Sequence, residues 1–473
     1  MDICCTRLSA ALGAQVSFAG QAPYGQTSSS FWSVQEATLA PACVVRPTAA
    51  QHVAAVVSIA LSSSSGEGCR LAVKGQGHAP AAGFANIDGG VTVDMAGLNR
   101  VAVNHDASVA SVAAGASWLD VYRYLEPFGV AVAGGRNGLV GVGGLTVGGG
   151  ISHLSPRVGW ACDNVVNFEL VLASGRLTNA NETDQPDLYR ALKGGANNLG
   201  IVTRFDLATF PQGNLSAMTT ANDIQERAGV FDAFSAIANA TVFDIYASLV
   251  TGLLYNSTSQ RWLISSSAVY TRPVLEPAVF ARLAAVPSIA QSFGLTSLAA
   301  LADEAPNPQM YWFFATATFA PCTEVMGDIF DALNTTLYAF DPAGGVVWNI
   351  AFEPLPSIML ARAGKRGGNI LGLGPTDGNA FVVLLSAFWS RPSSTAAVTQ
   401  AARRALAEIE SRGRARNLLK RFRYLNYAGP FQDPISSYGA DNVEFLRHVG
   451  EKYDPTGFFQ SHVPGGFKIP QRV

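Results

Sequence analysis

Several common signatures are missing from this 473-residue chain, and each gap removes a class of function. Charged residues make up only 14% of it, against about 25% in an average soluble protein, so neither a disordered charge-rich segment nor a solvated repeat array fits. Lys plus Arg (32) nearly balances Asp plus Glu (34), giving a net charge of −2 with both signs spread along the chain. Nothing there tracks a phosphodiester backbone, and no nucleic-acid partner is expected. The most apolar glycine-rich stretch, Leu139–Ile151, is too short to span a bilayer, so no membrane partner is expected either. After Gly141-Val-Gly143 the third glycine position of a dinucleotide fingerprint is Thr146, which disfavours a nicotinamide cofactor. No G-x-x-x-x-G-K-S/T phosphate loop, G-x-S-x-G elbow or H-E-x-x-H helix occurs, and with no Cys-x-x-Cys pair no metal centre is expected.

What is present is a chain long enough for two packed domains. Apolar residues reach 48% and glycine numbers 47, above a usual share of about 7% and without a collagen-like period. Four of the six cysteines (Cys4, Cys5, Cys43, Cys69) fall in the first seventy residues. They predict two disulfides, with three pairings open, and leave Cys162 and Cys322 unpaired. Five Asn-x-Ser/Thr sites, at Asn181, Asn214, Asn239, Asn256 and Asn334, add to an expectation of secretion and glycosylation. Met1-Asp2-Ile3-Cys4-Cys5 has neither the basic nor the apolar region of a signal peptide, so that expectation rests on the cysteines and the sequons.

Residues 40–210 alternate short apolar runs with helical periods. Strands are predicted at Ala42–Arg46, Arg70–Lys74, Val91–Met95, Val101–Asn104, Val109–Ala113, Val165–Ala173 and Gly200–Phe210. A capping box at Thr48–Gln51 opens a helix that ends in the run Ser62-Ser-Ser-Ser-Gly66, and Ser117 caps a helix from Trp118 to Pro127. From about 213 glycine thins out, and long strands (Ile245–Tyr255, Arg261–Tyr270) alternate with helices such as Gln225–Ala238. The end of the chain carries one amphipathic helix, Asp441–Tyr453, stopped by Asp454-Pro455. The expected division is 1–212, with a core at about 38–211, then 213–424, then a segment 425–473 that returns to the first domain.

Residues 134–150 hold nine glycines in seventeen positions, a density suited to a loop pressed against a ligand or another backbone, whose amides can cradle a pyrophosphate. A second cluster, Lys74-Gly75-Gln76-Gly77-His78, sets a histidine in a tight turn directly after a strand. These two turns, together with Val158–Asn164, Leu192–Thr203, Tyr424-Leu-Asn-Tyr427 and Lys452–Gln460, resemble the vanillyl-alcohol-oxidase (PCMH-type FAD-binding) superfamily. Within it they resemble the berberine-bridge-enzyme-like branch of FAD-linked oxidases. The six segments run in that family's order nearly end to end. The resemblance implies an α+β fold: a two-part FAD-binding domain plus a substrate domain with an antiparallel sheet covered by helices.

It also implies bound FAD, with His78 at the position of covalent attachment. Gly75 to Ala79 and Gly141 to Gly144 would lie along the pyrophosphate and ribityl chain, and Gly200, Ile201 and Val202 beside the adenine. Lys74, Gln76, Gly77, Asn137, Val140, Gly143, Thr146, Gly149, Asn164 and Asn426 complete the cofactor set that the resemblance implies. Members with a second flavin link use a cysteine where this chain has Asn137, so a single bond and a more enclosed pocket for a small molecule are expected. The implied activity is oxidation of an alcohol or amine carbon, on a sugar-like compound or a specialised metabolite, with dioxygen reduced to peroxide. A biosynthetic dehydrogenase or cyclase with poor oxygen reactivity, and a non-catalytic secreted flavoprotein, stay open. For the proton acceptor, Tyr424 leads. If Tyr424–Tyr427 is extended it shares a face with Asn426, with Lys74, Arg421 or Arg423 as the nearby cation; Tyr427 takes the role if the faces are reversed. Alternation along Val346–Glu353 puts Glu353 on a face with Val347, Asn349 and Ala351, a third candidate.

Overall fold

The computed structural model describes residues 2–62, 69–305 and 309–472; the serines predicted to end the first long helix lie outside them from 63 onward. The fold is α+β. A four-stranded sheet runs in the order Val16–Ser17, Cys43–Val45, Val91–Asp94, Leu71–Lys74, and the last three strands are parallel. Beside it, Val101–Val103, Val109–Ala113, Ile201–Ala208, Val165–Val171 and Leu177–Asn181 form an antiparallel sheet. Seven of these strands are the predicted ones to within a residue or two, as valine-rich runs between turns should be. Val16–Ser17 and Leu177–Asn181 (LTNAN) are not among the predicted, the first being two residues long and the second without a β-branched run. The helix of the first unit spans Ala50–Ser62. Thr48 donates its N–H to His52 Nδ1 (3.3 Å), a different start from the expected capping box. Ser117 and Asp120 do form a capping box, on helix Trp118–Leu125.

An eight-stranded antiparallel sheet has the order Ala290–Thr296, Leu215–Asp223, Arg261–Tyr270, Ala247–Asn256, Val347–Leu355, Ala380–Trp389, Tyr311–Phe319, Leu419–Lys420. Helices Arg227–Ala238, Thr323–Leu337 and Thr395–Ala415 cover one face. Period-2 alternation divides the side chains. Phe313, Ala315, Ala317 and Phe319 join Ile350, Phe352 and Leu385 in a core under those helices. Val269, Leu355 and Val382 belong instead to the core built by the first two sheets. Ile435, Tyr438, Leu446, Phe458 and Ile469 from the C-terminal segment also belong there, brought back by helix Ala440–Tyr453. The uncovered face of the long sheet thus lies over the first core. Among the described residues no helix is long and apolar enough to cross a membrane.

Candidate active site

Strand Leu71–Lys74 delivers the histidine turn. Lys74 is fully buried and its Nζ pairs with Asp94 Oδ1 at 3.2 Å, so its charge anchors the turn to the neighbouring strand and is not free for a cofactor or for Tyr424. Gln76 Nε2 donates to the Gly115 carbonyl at 2.6 Å. Gly77 has φ +70°, and a Cβ there would sit 3.0 Å from the Phe31 ring, so glycine is required on both counts. No described group accepts from the N–H groups of Gly75, Gln76 or Gly77. His78 stacks on Trp32 (centroids 4.3 Å apart), and Trp32 stacks on Trp312 (4.0 Å). Burial lowers the His78 imidazole to about 4, which leaves a nitrogen lone pair available at neutral pH.

The second glycine turn closes against the first. A Cβ on Gly141 would approach Gln76 N to 2.8 Å and one on Gly143 would approach the Ala114 carbonyl to 3.0 Å, while Gly144 faces open space. Helix Val142–Val147 starts there without a side-chain cap, so the amides at its first turn also lack intrahelical partners. The polar side chains around this turn hold it in shape. Asn137 bonds to Glu304 Oε2 (2.7 Å), Thr146 to the Val142 carbonyl (2.7 Å), and Asn164 to the carbonyls of Val158 and Trp160. The Val140 carbonyl accepts from Trp118 N, and Gly149 takes φ +112°. Ala79 accepts from Ser33 Oγ (3.1 Å). Gly200 abuts the Val171 carbonyl, and Ile201 and Val202 pair with Val171 and Leu170.

Tyr424–Tyr427 is not extended. Leu425–Tyr427 forms a 3-10 turn, whose three-residue repeat swings Tyr427 back onto Tyr424, with rings edge to face at 4.8 Å. Tyr424 and Asn426 do meet, through Asn426 Nδ2 to Tyr424 OH at 3.0 Å. Asn426 also donates to the Leu145 carbonyl, and Ile151 N donates to Tyr424 OH. The cation differs from those expected: Arg421 bonds to the Ser437 carbonyl and Arg423 pairs with Glu410, whereas Arg136 reaches the tyrosines. Its NH2 donates to Tyr427 OH (2.7 Å) and to Glu353 Oε1 (2.6 Å), and Tyr427 OH donates to the same Oε1 (2.9 Å). Glu353 lies in strand Val347–Leu355, 3% exposed. Burial raises both phenols above their ordinary range, and for Tyr427 the Glu353 charge adds to it while Arg136 opposes. Burial disfavours the Arg136 charge, but Glu353 and Tyr427 outweigh that and raise its pKa.

The unclaimed amides of the His78 turn, the open face at Gly144 and a neutral imidazole beside them would suit a phosphate-bearing cofactor. Residues 41–181 match the FAD binding domain family FAD_binding_4. The chain is 37% identical over 455 residues to the FAD-dependent monooxygenase tpcD of Cochliobolus heterostrophus, covering 93% of this chain and 87% of that protein. This chain belongs to the same family of FAD-dependent enzymes as that relative. It is an FAD-dependent oxidoreductase. Another relative is the bifunctional solanapyrone synthase of Alternaria solani, 33% identical over 449 residues, covering 91% of this chain and 82% of that one. In fold, the chain matches xylooligosaccharide oxidase from Myceliophthora thermophila C1 with a TM-score of 0.79 at 20% identity, over 100% of both chains.

In this FAD-dependent oxidoreductase the sequence reading named His78, the glycine turns, Glu353 and the tyrosines as candidates, but not three residues that lie against them. Arg136 is the one charged residue within the 134–150 glycine stretch, a signal that could have singled it out. Trp32 and Trp312 stand in no motif. Strand register places Trp312, Phe314, Phe388, Ser386, Asn349 and Glu353 on one face of the long sheet. Trp32, Trp312, Phe314 and Phe388 are half-buried and belong to neither core, forming an aromatic wall between them.

Proposed function

We propose that this chain is a secreted oxidase that binds FAD through a single bond to His78 and oxidises a carbon bearing a hydroxyl or amine on a small molecule. Bound FAD would supply the acceptor for a hydride from that carbon, with dioxygen as the final electron acceptor and hydrogen peroxide as its product. The observation that carries the reading is the Glu353–Tyr427–Arg136 cluster, a buried carboxylate joined by one phenol to the region above the glycine turns. With both phenols raised by burial, neither tyrosine is a resting phenolate. Tyr427 therefore serves as the conduit: it takes the substrate proton on its oxygen while its own hydroxyl proton passes 2.9 Å to Glu353 Oε1. Arg136 holds the carboxylate and the phenol in register. Tyr424 accepts two N–H bonds, which leaves its hydroxyl proton free to donate toward the substrate and orient it.

The 37%-identical relative, an FAD-dependent monooxygenase, favours a second reading, monooxygenation, which delivers oxygen to the substrate and requires an added reductant. Both are tested on the holoenzyme by anaerobic mixing with alcohols, amines, sugars and aromatic metabolites, followed by turnover under isotopically labelled dioxygen. Loss of the oxidised flavin absorbance and label in peroxide support the oxidase. Label in the organic product replaces it with the monooxygenase. Bleaching with little peroxide indicates the dehydrogenase, and no bleaching by any compound overturns the oxidase reading.

A further inference from the structure

The aromatic wall between the two cores is continuous from His78 to the proton-accepting cluster. Trp32 stacks on His78 and stands 5.6 Å from Phe314, and Phe314 meets the Tyr427 ring edge to face at 6.4 Å. Trp312 and Phe388, 4.8 Å apart, extend it along the long sheet. The wall is pinned from the first domain, where Gln35 donates to the Trp312 carbonyl (2.6 Å) and accepts from its N–H (3.1 Å). Polar side chains on this face of strands Tyr311–Phe319, Ala380–Trp389 and Val347–Leu355 are few. Thr316, Thr318, Ser386 and Glu353 are buried, and Glu353 is already engaged by Arg136 and Tyr427. Asn349 alone is half-buried. Its amide lies over Gly252, where a Cβ would come within 3.0 Å of Oδ1, and its side chain bonds to no described residue, so it is available to a ligand.

We infer that this wall selects a planar aromatic alcohol of two or three fused rings. The ring system lies against Trp312, Phe314 and Phe388, the carbon to be oxidised sits at Tyr427, and a phenol or carbonyl on the distal ring bonds to Asn349. The inference rests on the oxidase reading, which brings the substrate hydroxyl to Tyr427. Aromatic rings attract one another offset or edge to face at centroid separations of about 4.5–7 Å, the spacing that the rings of the wall already keep among themselves. Asn349 and Glu353 stand four residues apart on one strand, about 13 Å, which matches such a ring system with a substituent at each end. Loss of a hydride and a hydroxyl proton from the carbinol leaves an aryl aldehyde or ketone. A saccharide suits this face poorly: nearly every carbon carries a hydroxyl that gives up water on docking, and one amide can satisfy only a few of them.

Three probes test this on the holoenzyme: naphthylmethanol, the same compound with a hydroxyl on its distal ring, and glucose. Calorimetric titration of the dithionite-reduced protein reads binding without turnover. Naphthylmethanol should bind about a hundredfold more tightly than glucose, and the distal hydroxyl should tighten it by roughly a further fivefold. Phe388→Leu should weaken naphthylmethanol about tenfold. Asn349→Leu should erase the advantage of the distal hydroxyl, a difference between two ligands that a general loss of structure does not mimic. Glucose binding as tightly as naphthylmethanol, or wild-type affinity in Phe388→Leu, overturns the wall; a hydroxyl advantage that survives Asn349→Leu overturns the anchor. Anaerobic mixing with the oxidised protein separates this from the parent reading. Tight aromatic binding without flavin bleaching overturns the oxidase and leaves the wall's selectivity standing, whereas bleaching by glucose in preference to the aromatic alcohols overturns the wall and leaves the oxidase.

Discussion

Glu353 and Tyr427 share one hydrogen bond and one cation, so their removal should not be additive. Glu353→Gln keeps the shape of the side chain and deletes the proton acceptor. Flavin reduction by a good substrate should fall about a hundredfold or more with flavin content unchanged, measured by anaerobic stopped flow. Tyr424→Phe separates the two tyrosines. It keeps the ring against Trp160 and Tyr427 and removes a hydroxyl that accepts two N–H bonds. A fall of at least about tenfold, ~1.4 kcal/mol of barrier, is expected from lost orientation. A wild-type rate would remove Tyr424 from the site. His78→Ala should abolish the flavin adduct in an intact-mass spectrum while leaving some noncovalent FAD on the glycine turns; an adduct that survives the substitution sinks the attachment. The motifs of the family resemblance made His78 and both tyrosines candidates. They misjudged the cation, because nothing in Arg136, Arg421 or Arg423 taken singly says which one the folded chain points at a phenol.

At the scale of elements, the first helix is tied to the sheet by two bridges, Cys4–Cys69 and Cys5–Cys43. Cys43 lies in a strand of the four-stranded sheet, and Cys69 stands two residues ahead of another. They close 65 and 38 residues of chain, so each should contribute ~2–4 kcal/mol. Cys5→Ser with Cys43→Ser should lower the unfolding free energy by that amount in denaturant titrations. A reductant should bring the two proteins together; equal stability under oxidising conditions would show that the bridge contributes nothing. Count and position predicted two disulfides, but only the packing of helix Ile3–Leu12 on the sheet selects one pairing from three. The sequons are sorted by the same logic. Asn214, Asn239 and Asn256 are exposed, whereas Asn181 is bonded to Asn167 and Asn334 accepts from Trp262 Nε1 at 2.9 Å. Produced in a glycosylating host, the protein should carry glycans at the first three and not at the last two, which peptide mapping reads directly.

Over the whole molecule, buried titratable groups shape the response to pH. The His153 imidazole is held to about 3 by burial and by Arg136. The unfolded chain takes up that proton near its ordinary value of about 6.5. Its stabilisation is therefore complete above that value and is lost as pH falls toward 3. Glu36 acts in the opposite sense. Burial raises its carboxyl to about 7 even though the N–H groups of Gly83, Ala85 and Asn86 oppose this, so its contribution is present below the ordinary value and fades as pH rises through 7. The two offset each other in mildly acidic solution, and below the Glu36 window the buried histidines, His153 together with His78, act in the same sense. His153→Gln, which can keep a bond to Ser248, should flatten the decline of the thermal midpoint between about pH 4.5 and 3. An unchanged slope would show that His153 takes up its proton without disturbing the native state.

The amino-acid sequence by itself determined the elements and the chemistry. Valine-rich runs between glycine turns specify strands, glycine positions specify where backbone meets a ligand or another backbone, and alternation along a strand makes Glu353 a candidate, while His78 and the two tyrosines are candidates through the motifs of the family resemblance. These are local properties, legible from period, turn chemistry and residue type. The tertiary structure alone decided the partners: that Lys74 is neutralised by Asp94, that Arg136 joins a glutamate 217 residues away and a tyrosine 291 residues away, and that Trp32 slides between His78 and Trp312. Such contacts join strands and loops distant along the chain, and only the packing of the long sheet's uncovered face on the first core brings them together. A side chain's charge and shape are written in its own position, but the group that satisfies it is set by which surfaces bury one another.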